Sequence, residues 1–483
     1  MAETGGDFAG PLGNMRTESL ILVSLLGLVS AFFLVLYPIP SMVLLGFLTL
    51  CALLQNRVKF LLYVYLLTLF FIPPTIGVET PFLLFNVDRV VMAVLLGSWA
   101  ILVFRGKVRL SATPVDKAVF IYLGVIIVTV AVNFREISRT HEWFTSVKTL
   151  FVIAIERVLI IYVMLSVFRE KRGLQKLLWF IAVCLAIVAV YGIYESAVKD
   201  NFFVHISTIK NPEVNDIALS QTTRSGLYRA KSTQVLPHIF GTELCMIFPL
   251  IFFYLMDRGS KRKAAALLIL AAFFGGIAVT YTRGVYLALF LGLALCFLRI
   301  KRVEKKIGLI LAVVAVFSAG FAVPPVKAFY MRYMTKFLNP QAMTYNSDYS
   351  ISTRLEDYAY AYKRLRNNYL FGEGYGTYHS GVQGDHYLDN AYLYVLIETG
   401  ILGLAAFLWL VYTIVFRLAR WIRSPAADEE TEMLRFLHAG LIVFFFQCLT
   451  YDAFVFAGAS KLFWVLLGTL LVYQKLRLQE AAA

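Results

Sequence analysis

DHYLDNAYLYVLIETGILGLAAF, residues 385–407, changes character in the middle. Its first six residues carry two aspartates, a histidine and an asparagine, and from Ala391 onward it is an almost unbroken apolar run. A polar segment that feeds directly into a run of this kind marks the entry of a chain into a bilayer. Upstream, residues 324–390 form the one long polar stretch in a chain that is otherwise a succession of apolar spans. The chain has 483 residues, of which 59% are hydrophobic and 16% charged. A water-soluble protein of that size has nowhere to hide so much apolar surface. The expected fold is therefore all-α, a polytopic integral membrane protein of about 12–14 transmembrane helices with one long outward loop that carries amphipathic helices.

Apolar runs fall at about 19–37, 41–54, 60–72, 90–104, 117–132, 151–168, 177–195, 239–256, 264–281, 285–298, 307–323, 391–416, 436–454 and 461–473. Residues 41–54 and 285–298 are short enough to be broken or re-entrant. Basic loops recur every second connection: Arg57 and Lys59; Arg105, Lys107, Arg109 and Lys117; Arg169, Lys171, Arg172 and Lys176; Arg258, Lys261, Arg262 and Lys263; residues 299–306; and residues 417–435. Lys475 and Arg477 complete the series. Short cytoplasmic loops collect Lys and Arg, which places these loops and both termini in the cytoplasm. It also accounts for the net charge of +15 without invoking nucleic acid. Residues 1–18, with Glu3, Asp7 and Glu18 against Arg16, lack the basic start of a cleaved signal and read as a cytoplasmic tail. The division is then a bundle over 19–323, a large outward loop over 324–390, further spans over 391–473 and a tail over 474–483. Five cysteines, all in or beside apolar spans, read as packing residues.

The loops left to face outward include 196–238, 282–284 and 324–390, and they hold arginines where the charge rule expects few. Arg224, Arg229 and Lys231 lie in TTRSGLYRAKSTQVLPHIFGTEL, residues 222–244. Arg283 sits in TYTRGVYLALF, residues 280–290, between two apolar runs, with a glycine beside it that permits close approach of another chain or a ligand. Arg157 lies near the outer end of its span with Glu156 adjacent, an arrangement open to an ion pair. A charge at membrane depth is costly and marks a site or a partner. The planar guanidinium suits phosphate and diphosphate oxygens, and lipid-linked sugars, phospholipid headgroups and anionic transport substrates all present them.

In the long segment, SDYSISTRLEDYAYAYKRLRNN (347–368) reads as a helix. Thr353 and Glu356 fit a capping box, and Leu355, Tyr358, Ala359, Tyr362 and Leu365 make an apolar stripe, suited to a membrane surface or to packing on the bundle. The glycines of FGEGYGTYHSG (371–381) mark a tight non-helical turn. His386, Asp389 and Asn390 share a face if the next helix starts early enough, and a His or carboxylate there could take the proton of a sugar hydroxyl. Asp389 or Asn390 could equally cap that helix. No nucleotide-binding glycine loop, serine-hydrolase elbow or Asp-x-Asp pair is present. Any transfer must therefore start from an activated donor, with arginines neutralising the charge.

Four pieces in this order, RAKSTQVLPHIFGTEL (229–244), TRGVYLAL (282–289), RLEDYAYAYKRLRNNYLFGEGYGTY (354–378) and DNAYLYVLIETGILG (389–403), resemble the superfamily of bacterial O-antigen ligases and Wzy-type polysaccharide polymerases. The resemblance spans roughly residues 150–450. It implies a metal-independent, cofactor-free, inverting glycosyltransferase of the bacterial inner membrane with its site facing the periplasm. It also implies an undecaprenyl-diphosphate-linked glycan as donor and a glycolipid acceptor, with membrane lipids and polysaccharide-assembly proteins such as a chain-length regulator as partners. By motif, Arg229 or Arg224 together with Arg283 would hold the diphosphate, with Arg354 and Asn390 contributing. Asp389, or His386 one turn earlier, would be the base. The ligase branch opens the last motif with His-Asn, whereas this chain has Asp389-Asn390, which favours the polymerase. Ligation to lipid A–core or to a protein is the alternative within the class, and a polysaccharide-intermediate flippase the alternative outside it. Transporters often pair inverted halves with broken helices, and the sequence carries no such pairing.

Overall fold

The computed structural model describes residues 38–79, 84–108, 110–140, 143–208, 223–224, 227–256, 262–300, 356–366, 368–378, 388–422 and 429–482, together with isolated positions between 303 and 331. The spans expected at 19–37 and 307–323 lie outside them, as do Arg354, His386 and the side chain of Arg224.

The described chain is helical. Its longer helices are α1 (Pro38–Leu54), α2 (Val58–Phe71), α3 (Val87–Phe104), α4 (Asp116–Val132), α5 (Trp143–Val167), α6 (Lys171–Val198), α7 (Pro237–Met256), α8 (Lys263–Ala278), α9 (Arg283–Arg299), α10 (356–365), α11 (Ala391–Ile422), α12 (Glu429–Gln447) and α13 (Ala457–Ala482). Two short hairpins, Gly77–Glu79 with Leu84–Asn86 and Thr223–Arg224 with Leu227–Tyr228, are the strands among the described residues. Seven helices, α5, α6, α7, α11 and α13 among them, are long and apolar enough to cross a membrane. This is the all-α multi-pass architecture that the hydropathy predicts.

Burial sorts the helices. The apolar windows of α7 and α13 are 89% and 94% buried, whereas that of α3 is 33% buried. Helices in a bilayer associate by close packing rather than by escape from water, so small residues sit where backbones meet. Gly440 of α12 is such a point, since a Cβ there would stand 2.0 Å from the carbonyl oxygen of Met246 on α7. All five cysteines are buried and unpaired by disulfides, as packing residues should be.

The expected outward loops gather at one end of the bundle. Thr208 N donates to Thr75 O at 3.2 Å, Asn368 Nδ2 to Asn133 Oδ1 at 3.0 Å and Ala230 N to Val279 O at 3.0 Å. Contacts of the basic loops cluster at the other end, where Lys171 pairs with Glu430 and Glu480 and Arg105 bonds Gln55. These contacts bring several of the expected outward loops together at one end and several of the basic loops together at the other.

Two boundaries differ from those read in the sequence. Helix α5 starts at Trp143, inside the expected loop 133–150, and contains a π-helical turn over Val152–Val158. Helix α12 ends at Gln447, so residues 448–456 form a turn that a largely apolar stretch conceals. Helix α10 places Tyr358 (54% exposed) and Tyr362 (75% exposed) outward and buries Asp357 and Ala361. Its inner face rests on Tyr378, Leu388, Leu393, Tyr394 and Ile397, so Tyr358 and Tyr362 of the expected stripe are not part of that small core.

The glycine-rich turn does more than reverse the chain. Helix α11 breaks at Gly400 (φ 65°), roughly 14 Å from its N-terminus by helix rise. Backbone freed at membrane depth must find partners inside the protein. Residues 369–374 supply them: Glu373 N donates to Ile397 O and Gly374 N to Glu398 O, both at 2.9 Å. In return Ile401 N donates to Tyr369 O (2.9 Å) and Leu402 N to Leu370 O (3.3 Å). Gly372 and Gly400 meet face to face, each with positive φ and each with room only for hydrogen, since a Cβ would lie 2.4 Å from Ile397 O or 2.3 Å from Leu370 O respectively. The long polar segment is thus stitched into the span that follows it.

Candidate active site

Arg283 is the first residue of α9, half-buried at the end of the bundle where the outward loops meet. The turn before it is held by Arg229. The buried Arg229 guanidinium donates from Nε to Thr280 O (3.2 Å) and from Nη2 to Thr282 Oγ1 (2.8 Å). Tyr281, between those two anchors, takes φ 45°, a left-handed backbone that an aromatic residue adopts only where its surroundings impose it. Arg229 is fixed in turn by Glu195 of α6, whose carboxylate accepts from Ser232 N (2.6 Å), Lys231 N (3.3 Å) and Tyr228 Oη (3.2 Å). Asn201 Nδ2 adds a bond to Ser232 O at 2.8 Å. Burial lowers the Lys231 ammonium from its ordinary value, while Glu195 pulls it up. Arg229 therefore acts largely through the turn that presents Arg283. Gly284 does permit a close approach, and the approaching group is the chain's own Thr450, whose Oγ1 would stand 3.0 Å from an added Cβ.

Asn390 is the N-cap of α11. Its Oδ1 accepts from Tyr392 N at 2.9 Å and Leu393 N at 3.4 Å, satisfying two of the donors that a helix start leaves open. Because the helix starts at Ala391, Asp389 and Asn390 precede it and share no helical face. Asp389 is exposed, with its backbone N 3.4 Å from Asp357 Oδ2. Asn390 is buried against Tyr358 and spends its amide oxygen on the cap.

Beside this helix start lies a cavity of about 230 Å³ walled by α5, α11, the turn 448–456 and the first turn of α13. Its lining holds four cations, Arg89, Lys148, Arg157 and Lys461, and three carboxylates, Glu156, Glu398 and Asp452. Tyr122, Tyr375, Tyr394 and Phe454 supply aromatic surface. Two consecutive residues, Glu156 and Arg157, both reach it because the π-helical turn of α5 widens the helix there. They do not pair with each other. Glu156 bridges Arg89 (2.9 Å) and Lys461 (3.1 Å), and Lys461 also holds Asp88. Arg157, 6% exposed, donates from Nη2 to Val455 O at 3.3 Å, and its Nε has no hydrogen-bond partner among the described residues. A buried guanidinium with an unused donor on a cavity wall is costly unless something polar enters.

The sequence reading located Arg229, Arg283 and Asn390 but missed Asp452, Glu398, Arg89, Lys148 and Lys461. Asp452 and Glu398 were hidden inside stretches read as apolar spans, and Lys461 at the edge of one. The signal was the charge itself, since an ionisable residue within a span is a site by default. The structure joins the two regions through the turn 448–456. Thr450 touches Gly284 on the arginine side, Ala391 N donates to Cys448 O (2.8 Å) at the start of α11, and Asp452 lines the cavity.

Residues 265–408 match the family model described as O-antigen ligase. The match runs from α8 through most of α11. It contains Arg283, the stitched turn and the Asp389-Asn390 pair, and it leaves Arg229, Arg157 and Asp452 outside. No curated protein matches the chain. The match bears out the resemblance to the O-antigen ligase and Wzy superfamily, whose members are glycosyltransferase-like enzymes of the membrane.

Proposed function

We propose, for a multi-pass membrane protein whose residues 265–408 are of the O-antigen ligase family, the transfer of an oligosaccharide from an undecaprenyl-diphosphate donor to a hydroxyl of an acceptor glycan. The reaction takes place at the periplasmic face of the bacterial inner membrane. The observation that carries this reading is the juxtaposition of Arg283 with a carboxylate- and tyrosine-lined cavity across a single turn. Arg283 neutralises the diphosphate as it leaves, and Arg229 holds the turn that aims it. Aromatic faces and charged hydrogen-bonding groups together suit a sugar ring, and the cavity offers both.

In the step itself, the acceptor oxygen forms a bond to the anomeric carbon while the bond from that carbon to the diphosphate breaks. The hydroxyl proton passes to a carboxylate. We assign that carboxylate to Asp452, which lines the cavity, with Asp389 and His386 as the alternatives the sequence motif suggests. The leaving diphosphate carries its electron pair away against the arginines.

Asp389 in place of the ligase histidine favours a polymerase, for which the acceptor is a second lipid-linked unit. The description of the matched family favours ligation. Purified protein given lipid-diphosphate-linked oligosaccharide alone separates the two. The expected result is a ladder of products one repeat apart together with free lipid diphosphate. No product until lipid A–core is added would assign the protein as a ligase, and no turnover with either acceptor would overturn the proposal.

A further inference from the structure

At the opposite end of the bundle, away from Arg283, two cavities adjoin between the ends of α3, α4, α5 and α13. One, of about 380 Å³, is lined by Lys107, Ser111, Ser166, Arg169, Lys475 and Gln479 among others. The other, of about 490 Å³, is lined largely by apolar groups, including Pro114, Leu165, Trp421, Leu471 and Leu478. They share Leu165, Lys475 and Gln479, so they form one cleft with a basic half and an apolar half.

Among the described residues, no carboxylate lines either half. Of the acids near it in sequence, Glu170 is exposed, Glu480 pairs with Lys171, and Asp116 is turned into its own loop. It accepts from Thr113 N (2.7 Å), from Thr113 Oγ1 and from Tyr162 Oη (2.9 Å). Lys475 is placed rather than loose, with Nζ donating to Ser111 Oγ at 2.7 Å. Three cations, two hydroxyls and no anion make a socket for a phosphate. The apolar half, ending at Trp421, continues it as a socket for hydrocarbon. Basic loops alone would leave Lys107 and Arg169 spread over the surface. Here they converge with Lys475 on a concave polar floor that opens onto apolar surface.

We propose that this cleft binds one anionic phospholipid, its phosphate headgroup held by Lys107, Arg169 and Lys475 and an acyl chain lying along Leu165, Trp421 and Leu471. Such a site lies in the leaflet next to the basic loops and is independent of glycan transfer at the other end. A basic pocket between helices favours an anionic headgroup by charge, and each Lys or Arg near the surface contributes about a fivefold preference.

The test uses the full-length protein in detergent, with lipid occupancy read by native mass spectrometry and thermal unfolding followed in parallel. The probes are phosphatidylglycerol, phosphatidylcholine and inorganic phosphate. Phosphatidylglycerol is expected to be retained at one copy and to raise the unfolding temperature, with phosphatidylcholine and inorganic phosphate doing neither. The triple variant Lys107→Gln/Arg169→Gln/Lys475→Gln is expected to lose retention by about a hundredfold, near the product of three fivefold effects. Trp421→Ala, with the charges intact, should weaken phosphatidylglycerol and leave the response to phosphate unchanged. Equal retention of phosphatidylcholine, unchanged retention in a folded triple variant, or inorganic phosphate acting as strongly as the lipid would each overturn the proposal. Should the triple variant not fold, the choice among the three probes on the unmodified protein still decides it.

Discussion

Arg283→Ala should lower kcat/KM for glycan transfer by about 10²–10³, the effect of removing one preorganised charge-stabilising group from a transition state. The loss should fall mainly on kcat, because a departing diphosphate gathers negative charge only as the glycosidic bond breaks. Arg283→Lys should recover only part of it. Lysine keeps the charge but offers a point donor in place of a planar fork, and the fork is what matches diphosphate oxygens. Donor consumption by purified protein over a range of donor concentrations checks all of this. The substitution is expected to leave the preceding turn in place. Arg283 is half-buried at a helix start, and the turn before it is held by Arg229 through Thr280 and Thr282. An unchanged kcat in a folded Arg283→Ala protein would remove Arg283 from the site.

Gly400→Ala should be among the most damaging small substitutions in the described chain. An added methyl at φ 65° costs about 1 kcal/mol of backbone strain before any contact is counted. It would also sit 2.3 Å from the carbonyl oxygen of Leu370 and 2.6 Å from Phe371 N, both backbone atoms with no rotamer to yield. Relief requires the turn 369–374 to withdraw from α11, which breaks the four backbone hydrogen bonds between them. Those groups lie within the span, where water does not replace lost partners. The combined effect is expected to exceed about 3 kcal/mol. It should appear in detergent as a large fall in unfolding temperature or as failure to accumulate folded protein. Gly124→Ala is the control of opposite sign, since α4 leaves open space at that position and alanine is the better helix former. Equal behaviour of the two variants would show that the stitched turn does not hold α11.

The membrane bundle is legible in the sequence because hydropathy and charge alternation are summed over long windows. Individual side chains are far less so. The start of α11 at Ala391 announces itself through Asn390, a capping residue at a polar-to-apolar boundary. The end of α12 does not. Cys448, Leu449, Tyr451, Ala453, Phe454 and Val455 continue the apolar run, so a turn reads as the last part of a span and carries Asp452 out of sight with it. Arg283 stood out because no acid lies near it in sequence. Arg157 invited the wrong pairing because Glu156 is its neighbour. Only the π-helical turn and the arrival of α3 and α13 give Glu156 to Arg89 and Lys461 instead. The apolar stripe on α10 was legible as a stripe, but which side it faces depends on a small core assembled from residues up to 40 positions away.

The buried charges also explain why the cavity should persist without a ligand. Lys461, 1% exposed at its side chain, is compensated by both Asp88 and Glu156, and removing one partner of such a network typically costs about 3–5 kcal/mol. The walls of the site are thus set by ion pairs that the transfer step does not consume. Asp452 and Arg157 occupy the part of the lining nearest the turn shared with Arg283.

The central claim is that transfer occurs in this cavity and uses Asp452. It is tested most directly by single-turnover rates of donor consumption for Asp452→Asn, with Asp389→Asn and His386→Gln measured beside it. Asp452→Asn keeps the size of the side chain while removing its negative charge and its capacity to take a proton. It is predicted to slow the chemical step by about 10²–10⁴, the span expected for losing a general base, while donor binding is retained. The other two variants are predicted to stay within about tenfold of the unmodified protein. A full rate in Asp452→Asn, with the loss falling on Asp389→Asn or His386→Gln instead, would contradict the account and move the chemistry to the mouth of α11.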